Sequence, residues 1–139
     1  MSLVRNAAAL ARIRKLWAVV RRLVDLQPGP LTLPDGAVIK TPAMPEEFYN
    51  LPVVLAVSAL EETLEAARNE GAFRARGGRL SEIMDASRAQ IVWKDFDAVD
   101  HIRARRNDIA HEGILFSRAG CQQMIARIEA ELKGWGVIP

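Results

Sequence analysis

HIRARRNDIAHEG, residues 101–113, brings three arginines, an asparagine and two histidines within about three and a half helical turns. Apolar residues recur around it at helical spacing, at Val99, Ile102 and Ile109. Asp95 or Asp97 can cap the start of such a helix, and Gly113 can end it. The pattern predicts a helix over residues 97–111 whose polar face carries most of the chain's chemically versatile side chains.

Helical patterns also account for most of the remaining chain. They predict a long first helix over residues 4–26, a second over 46–69, a third from Leu80 through Val92 with Trp93 and Phe96 near its end, and a last one from Ser117 to Lys133. Leu51–Leu60 is apolar on nearly all sides, which predicts a central helix buried by its neighbours. We therefore expect an all-α, up-and-down bundle of about five helices.

Two segments interrupt this helical pattern. Residues 27–45 hold five of the seven prolines, and two short extended pieces there flank Pro34-Asp35-Gly36, which predicts a small hairpin or an ordered arm. Residues 71–79, GAFRARGGR, combine three glycines with three arginines and predict a flexible basic loop.

Length and composition indicate one ordinary domain over residues 1–139, with the arm at 27–45 as an insertion. The most apolar window is about half the length needed to span a bilayer, so no membrane association is expected. The single cysteine, Cys121, falls in a helical apolar pattern and predicts a buried thiol. One unpaired thiol suits a reducing cytoplasm, and we expect the protein there.

Charge alone does not identify a partner, because the net charge is only +2. However, 15 of the 19 basic residues are arginine, and they gather at residues 12–22, 74–79 and 103–106. A guanidinium pairs well with phosphate, which permits an RNA partner, although three solvated basic faces are the more common explanation of such clusters. The chain lacks phosphate-binding glycine loops and paired metal-ligand motifs, so we expect no cofactor and no metal.

The helical spacing assigns faces within residues 101–113. Arg103, Asn107 and His111 are four residues apart and share one face, while Arg106 is displaced from Asn107 by about 100°. His111 falls in the last turn, where a helix loosens. We therefore expect the side chains of Arg106 and His111 to reach a common point beyond the helix end.

Arg106-Asn107, followed by His111, resembles the Rx4-6H signature of HEPN domains, which are all-helical and often metal-independent endoribonucleases. The resemblance extends to the helix order, including a hydrophobic second helix that contains Ser58-Ala59-Leu60-Glu61. The arm at 27–45 is an addition that the family pattern does not require. Arg105 fits the same spacing window to His111, so the bare motif is not specific.

What the resemblance implies is attack by a ribose 2′-hydroxyl on the neighbouring phosphate of single-stranded RNA. His111 would transfer protons, Arg106 would stabilise charge on the phosphoryl group, and Asn107 would orient the phosphate or the imidazole. Substrate-binding and supporting roles fall to Arg103, Arg105 and Glu61. The family also suggests a homodimer and a toxin or defence function restrained by an antitoxin or regulatory protein.

Two other functions compete with the nuclease. One is a non-catalytic HEPN module that binds RNA, a nucleotide or a partner protein through the arginine face. The other is an interaction scaffold that assembles through the apolar second helix and the Trp93–Phe96 surface. A purely structural role also remains open, in which Arg106 pairs with Asp108, Glu112 or Glu61 and the polar groups of Asn107 and His111 satisfy helix ends.

Overall fold

The computed structural model describes residues 2–26, 31–39 and 46–139. These residues form five α-helices: α1 Ala7–Asp25, α2 Asn50–Asn69, α3 Leu80–Ser87, α4 Phe96–Glu112 and α5 Arg118–Gly134. Between α1 and α2 lie a short strand pair and a 3-10 turn: β1 Leu31–Thr32, β2 Val38–Ile39 and the turn Glu46–Tyr49. The predicted all-helical bundle of about five helices is confirmed. No helix among the described residues has the length and apolar character needed to cross a membrane.

Helix α2 is the centre of the bundle, as its apolar sequence predicts. It contacts each of the other four α-helices, and its side chains Val53, Val57, Leu60 and Leu64 are fully buried. Thr63 is buried too, and its hydroxyl donates to the carbonyl of Ala59 one turn earlier at 2.8 Å. This bond gives the buried hydroxyl the partner that a polar group needs when it is removed from water.

Helix α1 packs one stripe against α2. Its buried residues repeat at helical spacing: Ala9, Ile13, Trp17, Val20 and Val24. The side-chain oxygen of Asn6 caps the helix by accepting the Ala9 N–H at 2.9 Å. Glu70, just after α2, accepts the backbone N–H groups of Arg5 and Asn6, which joins the start of α1 to the end of α2.

Helix α3 is shorter than predicted, and the prediction that it continues through Val92 is wrong. The chain turns after Ser87, whose carbonyl accepts the N–H of Ile91 and whose hydroxyl accepts Trp93 Nε1–H at 3.1 Å. Val92 is 84% exposed, and Phe96 begins α4 instead of lying near the end of α3. The apolar spacing continues to Val92, but the chain leaves helical geometry after Ser87, where it turns back toward Trp93.

The caps of α4 and α5 agree with the sequence. Asp95 Oδ1 accepts the Ala98 N–H at 3.1 Å, and Gly113 ends α4 at φ +64°, a conformation that favours glycine. Ser117 Oγ accepts the Gly120 N–H at 3.0 Å at the start of α5. The predicted burial of Cys121 on the inner stripe of α5 is also confirmed.

The predicted hairpin is present in the described part of the arm. Leu31 pairs with Ile39 and Thr32 with Val38 in antiparallel register. Asp35 Oδ1 accepts the Ala37 N–H at 3.0 Å, and Gly36 has φ +86°, as expected for a turn at Pro34-Asp35-Gly36. The rest of the arm, residues 27–30 and 40–45, lies outside the described residues.

The loop at residues 71–79 was expected to be flexible, but the structure anchors it at several points. Phe73 is buried in the core with 3% exposure. Arg68 Nη1 donates to the Gly77 carbonyl at 2.7 Å, and the side-chain amide of Gln90 both donates to the carbonyl of Arg74 and accepts its N–H. The glycines permit the tight path, and these contacts then hold it.

Candidate functional site

A cleft of about 400 Å³ opens where α4 passes α2 and the start of α3. Four of the six predicted site residues line it: Glu61 on α2 and Arg103, Arg106 and Asn107 on α4. Arg79, Leu80 and Ser81 complete the wall from the loop and first turn of α3. Three guanidinium groups against one carboxylate in the lining make the cleft suited to an anion.

Arg106 is the residue in this cleft with the most unusual environment. Its side chain is half-buried, and its Nε atom is buried with no hydrogen-bond partner among the described residues. Leaving a buried donor unsatisfied costs on the order of 1–3 kcal/mol. Buried donors of this kind usually have a partner in the protein, in ordered water or in a ligand, and Arg106 also lines the open cleft.

The structure gives no support to the ion pairs that a purely structural role for Arg106 requires. Asp108 interacts instead with Arg105, Nη1 to Oδ2 at 3.6 Å. Neither Glu61 nor Glu112 forms an ion pair with Arg106 within the described part of the chain, although Glu61 lines the same cleft. The guanidinium of Arg106 is therefore available to an incoming group.

Arg103 is held in a defined orientation in the cleft. Its Nε donates to Asp100 Oδ1 at 2.8 Å, and its side chain is only 18% exposed. This bond engages one edge of the guanidinium and leaves the other N–H groups for a ligand. Arg103 is thus a rigid cation, in keeping with its predicted substrate-binding position.

Arg105 does not join the cleft. Besides its contact with Asp108, its guanidinium carbon lies 5.6 Å from the centre of the Phe116 ring. Residues 103, 106 and 107 share the face of α4 that meets α3, and Arg105 is turned away from that face by the helical geometry. The structure therefore separates Arg105 from the other predicted substrate-binding residues.

His111 is exposed and does not line the cleft. We expected it to meet Arg106 beyond a loosened helix end, but α4 remains helical through Glu112. Five residues of regular helix turn the two side chains about 140° apart. The expectation of a common point within one chain is therefore corrected. Asn107, which is exposed and lines the cleft, lies one turn before His111.

Arg79 and Ser81 were not predicted as site residues. The signal for Arg79 was the arginine cluster at residues 74–79, which could not be located relative to α4 without the fold. The tryptophans lie in the core or pack at its edge: Trp17 and Trp135 are buried, and the half-buried Trp93 packs edge-to-face on Trp135 with centroids 4.8 Å apart.

Within the described ranges, no three His, Cys, Asp or Glu side chains are grouped as a metal site would require. Comparison with protein-family models, with curated proteins and with solved structures finds no match to this chain. The resemblance to HEPN domains therefore rests on the motif and on the order of the helices.

Proposed function

We propose that this protein is a HEPN-type endoribonuclease that cleaves single-stranded RNA without a metal ion and acts as a homodimer. The observation that carries the proposal is the half-buried Arg106, whose Nε has no partner in a cleft that also holds Arg103, Arg79 and Asn107. A phosphodiester group supplies anionic hydrogen-bond acceptors for these arginines, because its oxygens accept parallel N–H bonds from guanidinium groups.

In the proposed reaction, a ribose 2′-oxygen attacks the adjacent phosphorus. The bond between O2′ and phosphorus forms, the bond between phosphorus and O5′ breaks, and the products are a 2′,3′-cyclic phosphate and a 5′-hydroxyl. The 2′-hydroxyl loses a proton and the departing O5′ gains one. His111 transfers protons, Arg106 donates to a non-bridging oxygen as its charge grows, and Asn107 orients the phosphate.

Within one chain, His111 lies one turn beyond Asn107 and outside the cleft lining, so the proposal takes the histidine of each site from a second copy of the chain. A two-fold axis beside α4 would bring the histidine of each chain to the cleft of the other chain. Both sites of the dimer would then be completed together.

The end of the bundle that carries His111 offers an apolar surface for such pairing. Asn50, at the start of α2, donates to the Ile114 carbonyl at 2.8 Å and accepts the Phe116 N–H at 2.9 Å. These bonds bring the start of α2 to the segment that follows α4. Leu51 and Leu115, which are 47% and 44% exposed, therefore lie at the same end as His111. Exposed leucines next to a polar site suit an interface between protein chains.

The test is cleavage of a labelled single-stranded RNA in the presence of a metal chelator. We expect products that end in a 2′,3′-cyclic phosphate. Substitution of His111 by Ala, or of Arg106 by Ala, should lower the rate by about 10²-fold or more, with an unchanged circular dichroism spectrum. His101→Ala is the matched control, because His101 is an exposed histidine on the same helix, and it should leave the rate unchanged. Metal-free cleavage that survives both site substitutions would refute the proposed mechanism.

One observation favours a second function, a non-catalytic module that binds RNA, a nucleotide or a partner protein through the cleft. In the single chain, His111 is not in the cleft, and binding requires only the arginines and Asn107. Under this alternative, the protein binds RNA without cleaving it, Arg106→Ala abolishes binding, and His111→Ala has no effect.

The biological setting of the proposal comes from the family resemblance. In this setting, the protein is a toxin or defence ribonuclease in the cytoplasm, and an antitoxin or regulatory protein restrains it. The reducing cytoplasm suits the single thiol of Cys121. Growth arrest on expression, relieved by His111→Ala, would support this setting.

A further inference from the structure

The loop at residues 71–79 presents two more arginines next to the α4 cleft. Arg74 and Arg76 are exposed and line a groove of about 920 Å³ together with Ala75, Gly77, Glu82 and Ala86. Arg79, three residues further along the same loop, lines the cleft. The loop is thus shared by the two openings.

The guanidinium groups of these arginines are not engaged by other side chains within the described part of the chain. Among the described residues, the side chains of Arg74, Arg76 and Arg79 form no ion pair and no hydrogen bond, in contrast to Arg103 and Arg105 on α4. Exposed arginines commonly pair with a nearby carboxylate, so three in succession without a pair leave a concentrated positive charge.

The backbone that carries them is fixed. The bonds from Arg68 to the Gly77 carbonyl and between Gln90 and the backbone of Arg74, together with the buried Phe73, hold the loop at three points. A β-carbon at position 77 would overlap the Glu82 side chain and would lie only 2.7 Å from the β-carbon of Glu82. Glycine at this position therefore allows the loop to pack closely against α3. Arginines on an anchored backbone bind with a smaller loss of conformational entropy than arginines on a mobile one.

We propose that the 71–79 loop forms a second phosphate-binding subsite that continues the α4 cleft, so that single-stranded RNA runs across Arg74 and Arg76 before it enters the cleft. This inference rests on the proposed function, because it concerns the part of the RNA beyond the reacting phosphate. The groove offers cations and small side chains and no aromatic ring, so it recognises the phosphodiester backbone and not the base sequence. Glu82 is the one carboxylate in its lining and weakens the attraction.

Salt dependence of binding provides the test. The affinity for a labelled single-stranded RNA of about 12 nucleotides is measured between about 50 and 200 mM salt for the wild-type protein and for R74Q/R76Q. Each lost phosphate contact should reduce the slope of log affinity against log salt by about 0.7, so we expect a reduction of about 1.4. R12Q/R22Q is the matched control, since it removes the same charge from exposed positions on α1 and should leave the slope unchanged.

Two further comparisons make the test more specific: a shorter substrate, and a variant that removes a negative charge from the groove. For a dinucleotide, which has one phosphate and reaches only the cleft, kcat/KM of R74Q/R76Q should equal that of the wild type, whereas for the longer RNA it should fall. E82Q should instead increase affinity for the longer RNA. If R74Q/R76Q and R12Q/R22Q behave alike toward the longer RNA, the second subsite is refuted while the proposed function stands. If the wild-type protein neither binds nor cleaves RNA, the proposed function and this inference both fail.

Discussion

Glu131, a carboxylate on α5 with 1% exposure, accepts the backbone N–H of Asp95 at 2.8 Å. The same carboxylate accepts the N–H of Lys94 at 2.9 and 3.0 Å. Asp95 in turn caps α4, so α5 determines where the motif helix begins. The backbone just before α4 is thus held by α5.

Substitution of Glu131 by Ala should therefore destabilise the protein strongly. The change leaves two backbone donors without an acceptor and creates a cavity, and we expect the free energy of unfolding to fall by about 3 kcal/mol. Urea denaturation followed by circular dichroism measures it. Glu62→Ala, at an exposed position of α2, is the control and should change stability by less than about 0.5 kcal/mol. Equal stabilities of the two variants would show that the Glu131 contact does not hold α4.

Arg106→Met should separate function from stability. Methionine keeps an unbranched apolar side chain but removes the unsatisfied Nε donor, so we expect the free energy of unfolding to stay the same or to rise by about 1 kcal/mol. RNA binding should be lost. The comparison variant is Asp100→Asn, which weakens the hydrogen bond that orients Arg103 and should reduce RNA affinity only partly. A loss of more than about 2 kcal/mol in Arg106→Met would indicate that Arg106 has a structural role.

Mixing two inactive variants tests whether each site combines residues from two chains. Arg106→Ala and His111→Ala should each be inactive alone. If the partner's histidine serves each cleft, the mixed dimer has one complete site, and random mixing should restore about a quarter of the wild-type activity. If both residues act within one chain, every site in the mixture lacks one of them and no activity returns, which contradicts the dimeric site. A covalently linked heterodimer of the two variants is the control for subunit exchange.

The thiol of Cys121 should be unreactive in the folded protein. Burial raises its pKa from 9.0 to about 11, which means that the folded state holds the thiol proton more tightly than the unfolded chain does. The associated stability is complete below pH 9 and is lost as the pH rises through about 11. At pH 8, alkylation of the native protein should be at least about 100-fold slower than alkylation in urea. Similar rates in the two conditions would show that the thiol is accessible.

Several features of this fold were predictable because they depend on neighbours in sequence. The stripes of α1 and α5, the caps at Asp95, Gly113 and Ser117, and the turn at Pro34-Asp35-Gly36 follow from local periodicity and from the hydrogen bonds of single side chains. The length of α3 was not predictable. Its apolar spacing continues to Val92, but the chain turns at Ser87 because Trp93 and Trp135 pack together and Glu131 holds the next segment.

The candidate site divides in the same way. The spacing of Arg103, Asn107 and His111 indicated a shared face, and the structure places Arg103 and Asn107 in one cleft with Arg106 and Glu61. It does not bring His111 there, because α4 remains a regular helix through Glu112. The motif alone does not reveal that this helix end is regular.

By itself, the sequence determined most of the helices and their caps, because helical period and capping depend on residues only a few positions apart. Only the tertiary structure decided that Arg79 joins Arg106 and Glu61 in one cleft and that His111 stands outside that cleft. Those relationships depend on how α2, α3 and α4 pack, and packing is a property of the whole core that no local pattern encodes.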